Sequence, residues 1–128
     1  MKFIADTHAF IWFVTDSPQL SAPAKKLFES PDSERLFSLA SVWEIAIKTN
    51  LGKLSFDQPL EQFLPEQIAL NYLRLLDISL AHALRIATLP LYHRDPFDRM
   101  IAAQGLIENL PILSNDSAFD AYGVERIW

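Results

Sequence analysis

Short apolar runs alternate with helical periodicity along the whole chain. This alternation predicts an α/β fold: a central, mostly parallel sheet of four or five strands with helices on both faces. The size agrees. At 128 residues, 50% of them hydrophobic, the sequence reads as one compact domain, 1–128, able to bury roughly two thirds of its unfolded surface without disulfides. It also contains no internal repeat, low-complexity tract or linker that would divide it.

The elements follow in order. "KFIA" (Lys2 to Ala5) is a buried strand, and helical periodicity runs from His8 to about Val14, where Asp16-Ser17-Pro18 breaks it. Ala22 to Ser30 is a second short helix. "RLFSLA" (Arg35 to Ala40) is the next strand, and Ser41 opens a helix that ends near Gly52, a suitable C′ glycine. Pro59 opens a helix to about Leu70, and "LRLLDI" (Leu73 to Ile78) is a third strand. "SLAHALRIATL" is helical with Ser79 as N-cap, and "DPFDRMIAAQGLIENL" is a long amphipathic helix. "PILS" (Pro111 to Ser114) is a fourth strand, "DSAFDAY" a last short helix and "VERIW" an edge strand.

Composition excludes several classes. Without cysteine there is no disulfide, thiolate metal site or Cys nucleophile, which agrees with a reducing, cytoplasmic setting. The first residues lack the pattern of a signal peptide, and no apolar run is long enough to span a bilayer, so no membrane role is expected. The three glycines, Gly52, Gly105 and Gly123, are too far apart for a Walker or Rossmann phosphate loop. Sixteen acids against eleven Lys and Arg give a net charge of −5, the wrong sign for a nucleic-acid partner unless bound cations offset the acids locally.

The acids are where the chemistry is expected, because ligands of open parallel sheets bind outside the carboxyl ends of the strands. Asp6 follows "KFIA", Glu44 lies a turn beyond "RLFSLA", and Asp116 follows "PILSN". A fourth acid, in "HRDPFDR", opens the helix leading to the last of these strands. Each has an ordinary structural explanation. Asp6 and Asp116 can be N-caps, and Ser41-Val42-Trp43-Glu44 fits a capping box in which Ser41 and Glu44 satisfy free amides. Four carboxylates at one sheet edge repel each other, however, and a hard divalent cation with oxygen ligands relieves that repulsion. In "HRDPFDR", Asp95 before Pro96 is the N-cap, which puts Asp98 at the third helical position, equivalent to that of Glu44 in its own helix. Asp98 is therefore assigned to the metal site, and Asp95 to a supporting role.

"FIADTHAFIW", "SLASVWEIAIKTNLGKL", "HRDPFDRMIAAQ" and "ILSNDSAF" together resemble, in order and spacing, the PIN-domain ribonucleases of the VapC toxin type, in the branch that carries DPFDR. The resemblance covers essentially the whole chain. It implies a three-layer α/β/α domain in which Asp6, Glu44, Asp98 and Asp116 bind Mg²⁺ or Mn²⁺ and cleave RNA with metal-activated water. Thr7 and Ser114 match small hydroxyl positions of the family, while Gly105 replaces an expected Ala, a change that weakens its helix. The resemblance also implies a homodimer and a small antitoxin partner whose basic tail enters the acidic pocket.

Lys48, Arg94 and Arg99 lie beside the motifs and can steer RNA; a solvated helix face is the alternative for Lys48, and an ion pair with an acid the alternative for Arg99. His8 and His93 flank the acids in supporting positions, and His82 is a packed or surface helix residue. Trp12 and Trp43 fall in apolar helical stripes and read as core, with base stacking the alternative. Two other classes remain open. A phosphatase-like metal domain would need a DxD that Asp6-Thr7-His8 lacks, and a non-catalytic module would use the acidic edge only to recruit a basic protein.

Overall fold

The computed structural model describes residues 1–128 and has a five-stranded sheet in the order β3-β2-β1-β4-β5, parallel throughout. Along the chain run β1 (Lys2–Ala5), α1 (Thr7–Val14), α2 (Ala22–Glu29), β2 (Glu34–Ser38), α3 (Leu39–Asn50), α4 (Leu60–Leu70), β3 (Leu73–Leu76), α5 (Leu80–Arg85), α6 (Pro96–Glu108), β4 (Ile112–Leu113) and β5 (Arg126–Ile127). A short 3₁₀ turn, Ile86–Thr88, follows α5, and a 3₁₀ helix, Ser117–Tyr122, joins β4 to β5. No helix is long and apolar enough to cross a membrane.

Strand alternation makes two cores, one on each face of the sheet. Phe3, Ala5, Phe37 and Leu113 point into a layer covered by Phe10 of α1, Phe28 of α2 and Leu64 of α4. Ile4, Leu36 and Ile112 point the other way, onto Ile101 and Ala102 of α6 and Phe119 of the 3₁₀ helix. Helix α3 serves both layers, sending Ala40 to one and Ile45 to the other. This is the expected three-layer α/β/α arrangement, with five strands.

The element boundaries differ from the sequence reading mainly around β2. The strand ends at Ser38 and the helix starts at Leu39, because the Ser38 hydroxyl accepts the Ala40 amide at 3.0 Å and acts as N-cap. Ser41 is therefore inside the helix, and Ser41 and Glu44 do not form a capping box. The far end matches expectation: Gly52, at φ +73°, closes α3 with its own amide bonded to Thr49 O and the Lys53 amide bonded to Lys48 O at 2.9 Å. Strand β3 stops at Leu76, two-residue β4 is shorter than "PILS", and "DSAFDAY" is 3₁₀ instead of α.

Gly105 has a packing role beyond its low helix propensity. A Cβ there would lie 3.1 Å from Ile112 Cδ1 and 3.2 Å from Val124 Cγ1, so its bareness lets α6 settle onto β4. Gly105→Leu is expected to destabilise the fold by about 1–3 kcal/mol, the usual range for overpacking a core. A lowered denaturation midpoint in urea checks this.

Candidate metal centre

The strand order reverses between β1 and β4, and a sheet of this kind opens a crevice at such a reversal, beyond the strands' carboxyl ends. Asp6 follows β1 directly and Asp116 follows β4, so the topology puts them on either side of the crevice. Both are N-caps. Asp6 Oδ1 accepts the Ala9 amide at 2.7 Å and Asp116 Oδ1 accepts the Ala118 amide at 2.9 Å, so each cap uses one carboxylate oxygen. The Asp116 amide is in turn held by the Ser114 hydroxyl at 2.9 Å.

Asp98 enters from α6. Asp95 caps that helix, its Oδ1 accepting the Phe97 and Asp98 amides at 2.8 and 3.1 Å, and Pro96 takes the first helical position. Asp98 then lies at the third helical position as expected. Glu44 does not share that position, because α3 starts at Leu39 and carries Glu44 a turn deeper. It is nevertheless buried and faces the cluster from α3.

The charges crowd one another. Burial pushes the Asp98 carboxyl up to about 7, Asp95, Glu44 and Asp6 add to the rise, and His93 opposes it. Asp6 is also raised, chiefly by burial and further by Asp116, against the pull of the Ser114 hydroxyl and the Ala9 amide. Asp98 thus feels Glu44 and Asp6, and Asp6 feels Asp116.

They are not equivalent, however. Glu44 already has partners on both oxygens: the buried Thr7 hydroxyl is 2.8 Å from Oε1, and Lys48 Nζ is 2.6 Å from Oε2. The Thr7 hydroxyl is also 2.8 Å from Ser41 Oγ, so the buried serine helps to position the carboxylate. Lys48 is consequently neither a solvated face nor a free cation.

His93 is closer to the chemistry than the sequence indicated. Its Nε2 lies 3.1 Å from Asp98 Oδ2 and 2.7 Å from Asp116 Oδ2. His93, Asp98 and Asp116 offer ligand atoms within 4.8 Å of one another, a separation that suits one cation. The available signal was the place of His93 at the head of the acidic motif. Its reach to Asp116, 23 residues away, is tertiary.

Other candidates resolve differently. Arg99 neither faces the crevice nor pairs with an acid, because its guanidinium binds the carbonyls of Leu89, Pro90 and His93. Arg94 is exposed, and His8 lines a cleft with Asp6 and Asp116. His82 is buried and forms a capping box with Ser79. Trp12 is half-buried against Trp128, whereas Trp43, expected in the core, is 61% exposed with its ring edge-to-face on Phe97 at 5.2 Å. The earlier helix start accounts for this register: Glu44 and Ile45 turn inward and Trp43 outward.

An Asp98 raised in the folded state binds its proton more tightly there than in the unfolded chain. That contribution to stability is fully present below the ordinary Asp value near 3.8 and is lost as pH rises to about 7. The metal-free protein should lose about 1.4 kcal/mol per pH unit from this group across that window. In thermal melts at pH 4–7, Asp98→Asn should flatten this slope, and a divalent cation should restore stability at pH 7.

The PIN domain family profile matches residues 3–125. No curated protein matches the chain by sequence. Among solved structures, a chain of DNA-bound VapBC from Salmonella typhimurium has a TM-score of 0.74 at 17% identity, covering 99% of this chain and 97% of that one. A chain of VapBC2 from Rickettsia felis, bound to a promoter DNA fragment, has a TM-score of 0.73 at 13% identity, covering 99% and 98%. FitAcB from Neisseria gonorrhoeae has a TM-score of 0.67 at 21% identity, covering 100% and 97%. At these identities the likeness establishes a shared fold. The family profile, spanning nearly the whole sequence, goes further: the chain belongs to the PIN domain family.

Proposed function

We propose that this chain is a Mg²⁺- or Mn²⁺-dependent endoribonuclease, the toxin of a toxin–antitoxin pair, with Asp6, Glu44, Asp98 and Asp116 as its catalytic and metal-binding acids. The observation that carries this reading is an excess of negative charge. Carboxylates, Asp6 and Glu44 among them buried, converge where a parallel sheet binds ligands, and Asp98 is pushed up to about 7 there. The donors are oxygens, which suit a hard cation.

Asp6, Glu44, Asp98 and Asp116 would hold the ion, Glu44 from a position fixed by Thr7 and Lys48. When bound, the ion supplies Lewis-acid polarisation of the scissile phosphate and an activated water for in-line attack. The chain itself fixes the acids by helix caps and excludes water from their buried sides. It has no cysteine and needs no side-chain nucleophile. Cleavage in this way leaves a 5′-phosphate and a 3′-hydroxyl. The exposed Arg94 is the cation available to steer RNA, since Lys48 is held by Glu44.

Two protein partners complete the proposal. Trp43 and Ile47 of α3 and Leu51 at its C-cap form an exposed apolar stripe at helical spacing, a surface suited to a second copy of the chain. The acidic crevice suits the basic tail of a small antitoxin, since arginine pairs bidentately with carboxylates. A solved structure of similar fold from Klebsiella pneumoniae, at 16% identity, is a toxin-antitoxin complex. A cytoplasmic site of action follows from an RNA substrate.

RNA cleavage by the purified chain should require Mn²⁺ or Mg²⁺ and stop with EDTA. Asp98→Asn should lower the rate on the order of 100-fold or more, the scale for losing a preorganised electrostatic group, with no fall in melting temperature. Undiminished cleavage in that variant would remove Asp98 from the mechanism. Size-exclusion chromatography with light scattering should give a dimer that Trp43→Glu dissociates.

A further inference from the structure

We propose that His93 is a positioning residue of this site: its imidazole donates a hydrogen bond to Asp116 while resting against Asp98, and it is not a metal ligand. The inference rests on the metal-dependent reading above. His93, Asp98 and Asp116 could equally be read as a three-ligand cation site, since their ligand atoms lie so close together. The second ring nitrogen decides between the two. His93 Nδ1 accepts the backbone N–H of Asp95 at 3.1 Å. An accepting imidazole nitrogen carries no proton, so the ring proton is on Nε2, which faces Asp98 Oδ2 at 3.1 Å and Asp116 Oδ2 at 2.7 Å. To ligate a metal through Nε2 the ring would need its lone pair there and its proton on Nδ1. That tautomer sets two N–H donors, Nδ1 and the Asp95 amide, against each other.

The ring is fixed in place. The His93 amide donates to the Tyr122 hydroxyl at 2.9 Å. Its carbonyl accepts from the Arg99 guanidinium at 3.4 Å, and the same guanidinium holds the Pro90 carbonyl at 3.0 Å. Asp95 therefore has two jobs: its carboxylate caps α6 and presents Asp98, while its amide sets the tautomer of the ring that Asp98 meets. Asp98 belongs to α6 and Asp116 to the segment after β4, and the His93 side chain is hydrogen-bonded to Asp116 and in contact with Asp98 at 3.1 Å. With Oδ2 of Asp98 turned to the ring, its Oδ1 is the oxygen left for an ion.

The test uses the full chain and three measurements. In His93→Phe the ring volume stays and the donor is lost; in His93→Gln a side-chain N–H donor remains. Mn²⁺ binding by isothermal titration should weaken about 10- to 100-fold in His93→Phe, the scale for losing a residue that orients a metal ligand, and recover most of that in His93→Gln. For RNA cleavage, kcat should fall with KM unchanged in His93→Phe and recover likewise. ¹⁵N NMR of the metal-free wild type should find the proton on Nε2, and it should stay there when Mg²⁺ is added. Unchanged Mn²⁺ affinity in His93→Phe would overturn the proposal. So would a ring proton on Nδ1, or equal losses in both variants, which would mark His93 as a ligand. The NMR reading holds even if a variant fails to fold. If the wild type bound Mn²⁺ but cut no RNA, the nuclease reading would fail while the affinity series still judged His93.

Discussion

Electrostatic crowding at the carboxyl end of the sheet is the constraint around which the rest of the molecule is arranged. A carboxyl pushed up to about 7 at a buried position opposes folding near neutral pH in the metal-free chain. The fold accommodates it by giving the acids around Asp98 structural roles. Asp6 and Asp116 cap the segments that follow them, Asp95 caps α6, and Glu44 is held between a threonine hydroxyl and a lysine. The residues that repel one another are thus among those that start the helices, and the fold cannot form without bringing them together.

The segment from His93 to Arg99 concentrates this arrangement in one motif. Its histidine reaches across to Asp116, its first aspartate starts the helix, its second enters the cluster, and its arginine binds the preceding loop through three carbonyls. Arginine suits that last task because its planar fork reaches several acceptors at once. Chemistry and scaffold share neighbouring residues, which keeps their geometry coupled.

Features written in local chemistry were legible in the sequence. The Asp95-Pro96 start of α6, the Gly52 end of α3, the Ser79 cap and the β/α alternation all depend on residues close together in the chain. The start of α3 was not, because Ser38 and Ser41 are both competent caps and the choice falls to β2 pairing, which brings Ser38 beside Leu76. That one shift carried Glu44 deeper, made Ser41 a partner of Thr7 and turned Trp43 to solvent. The roles of His93, Lys48 and Arg99 depended on contacts that periodicity cannot indicate. Gly105 looked like a weak point of its helix and proved to be a point of close packing.

The sheet supports the acidic crevice unequally on its two sides. Strand β1 pairs with β2 over four residues, but with β4 over only two, and β4 pairs with β5 over two. Asp6 is therefore mounted on the firmly laddered half and Asp116 on the thin one. Local opening of a fold begins where few backbone bonds must break. The Asp116 side is the flank that can loosen while the remainder stays intact, so the separation of the two carboxylates is set by the weaker of the sheet's two seams.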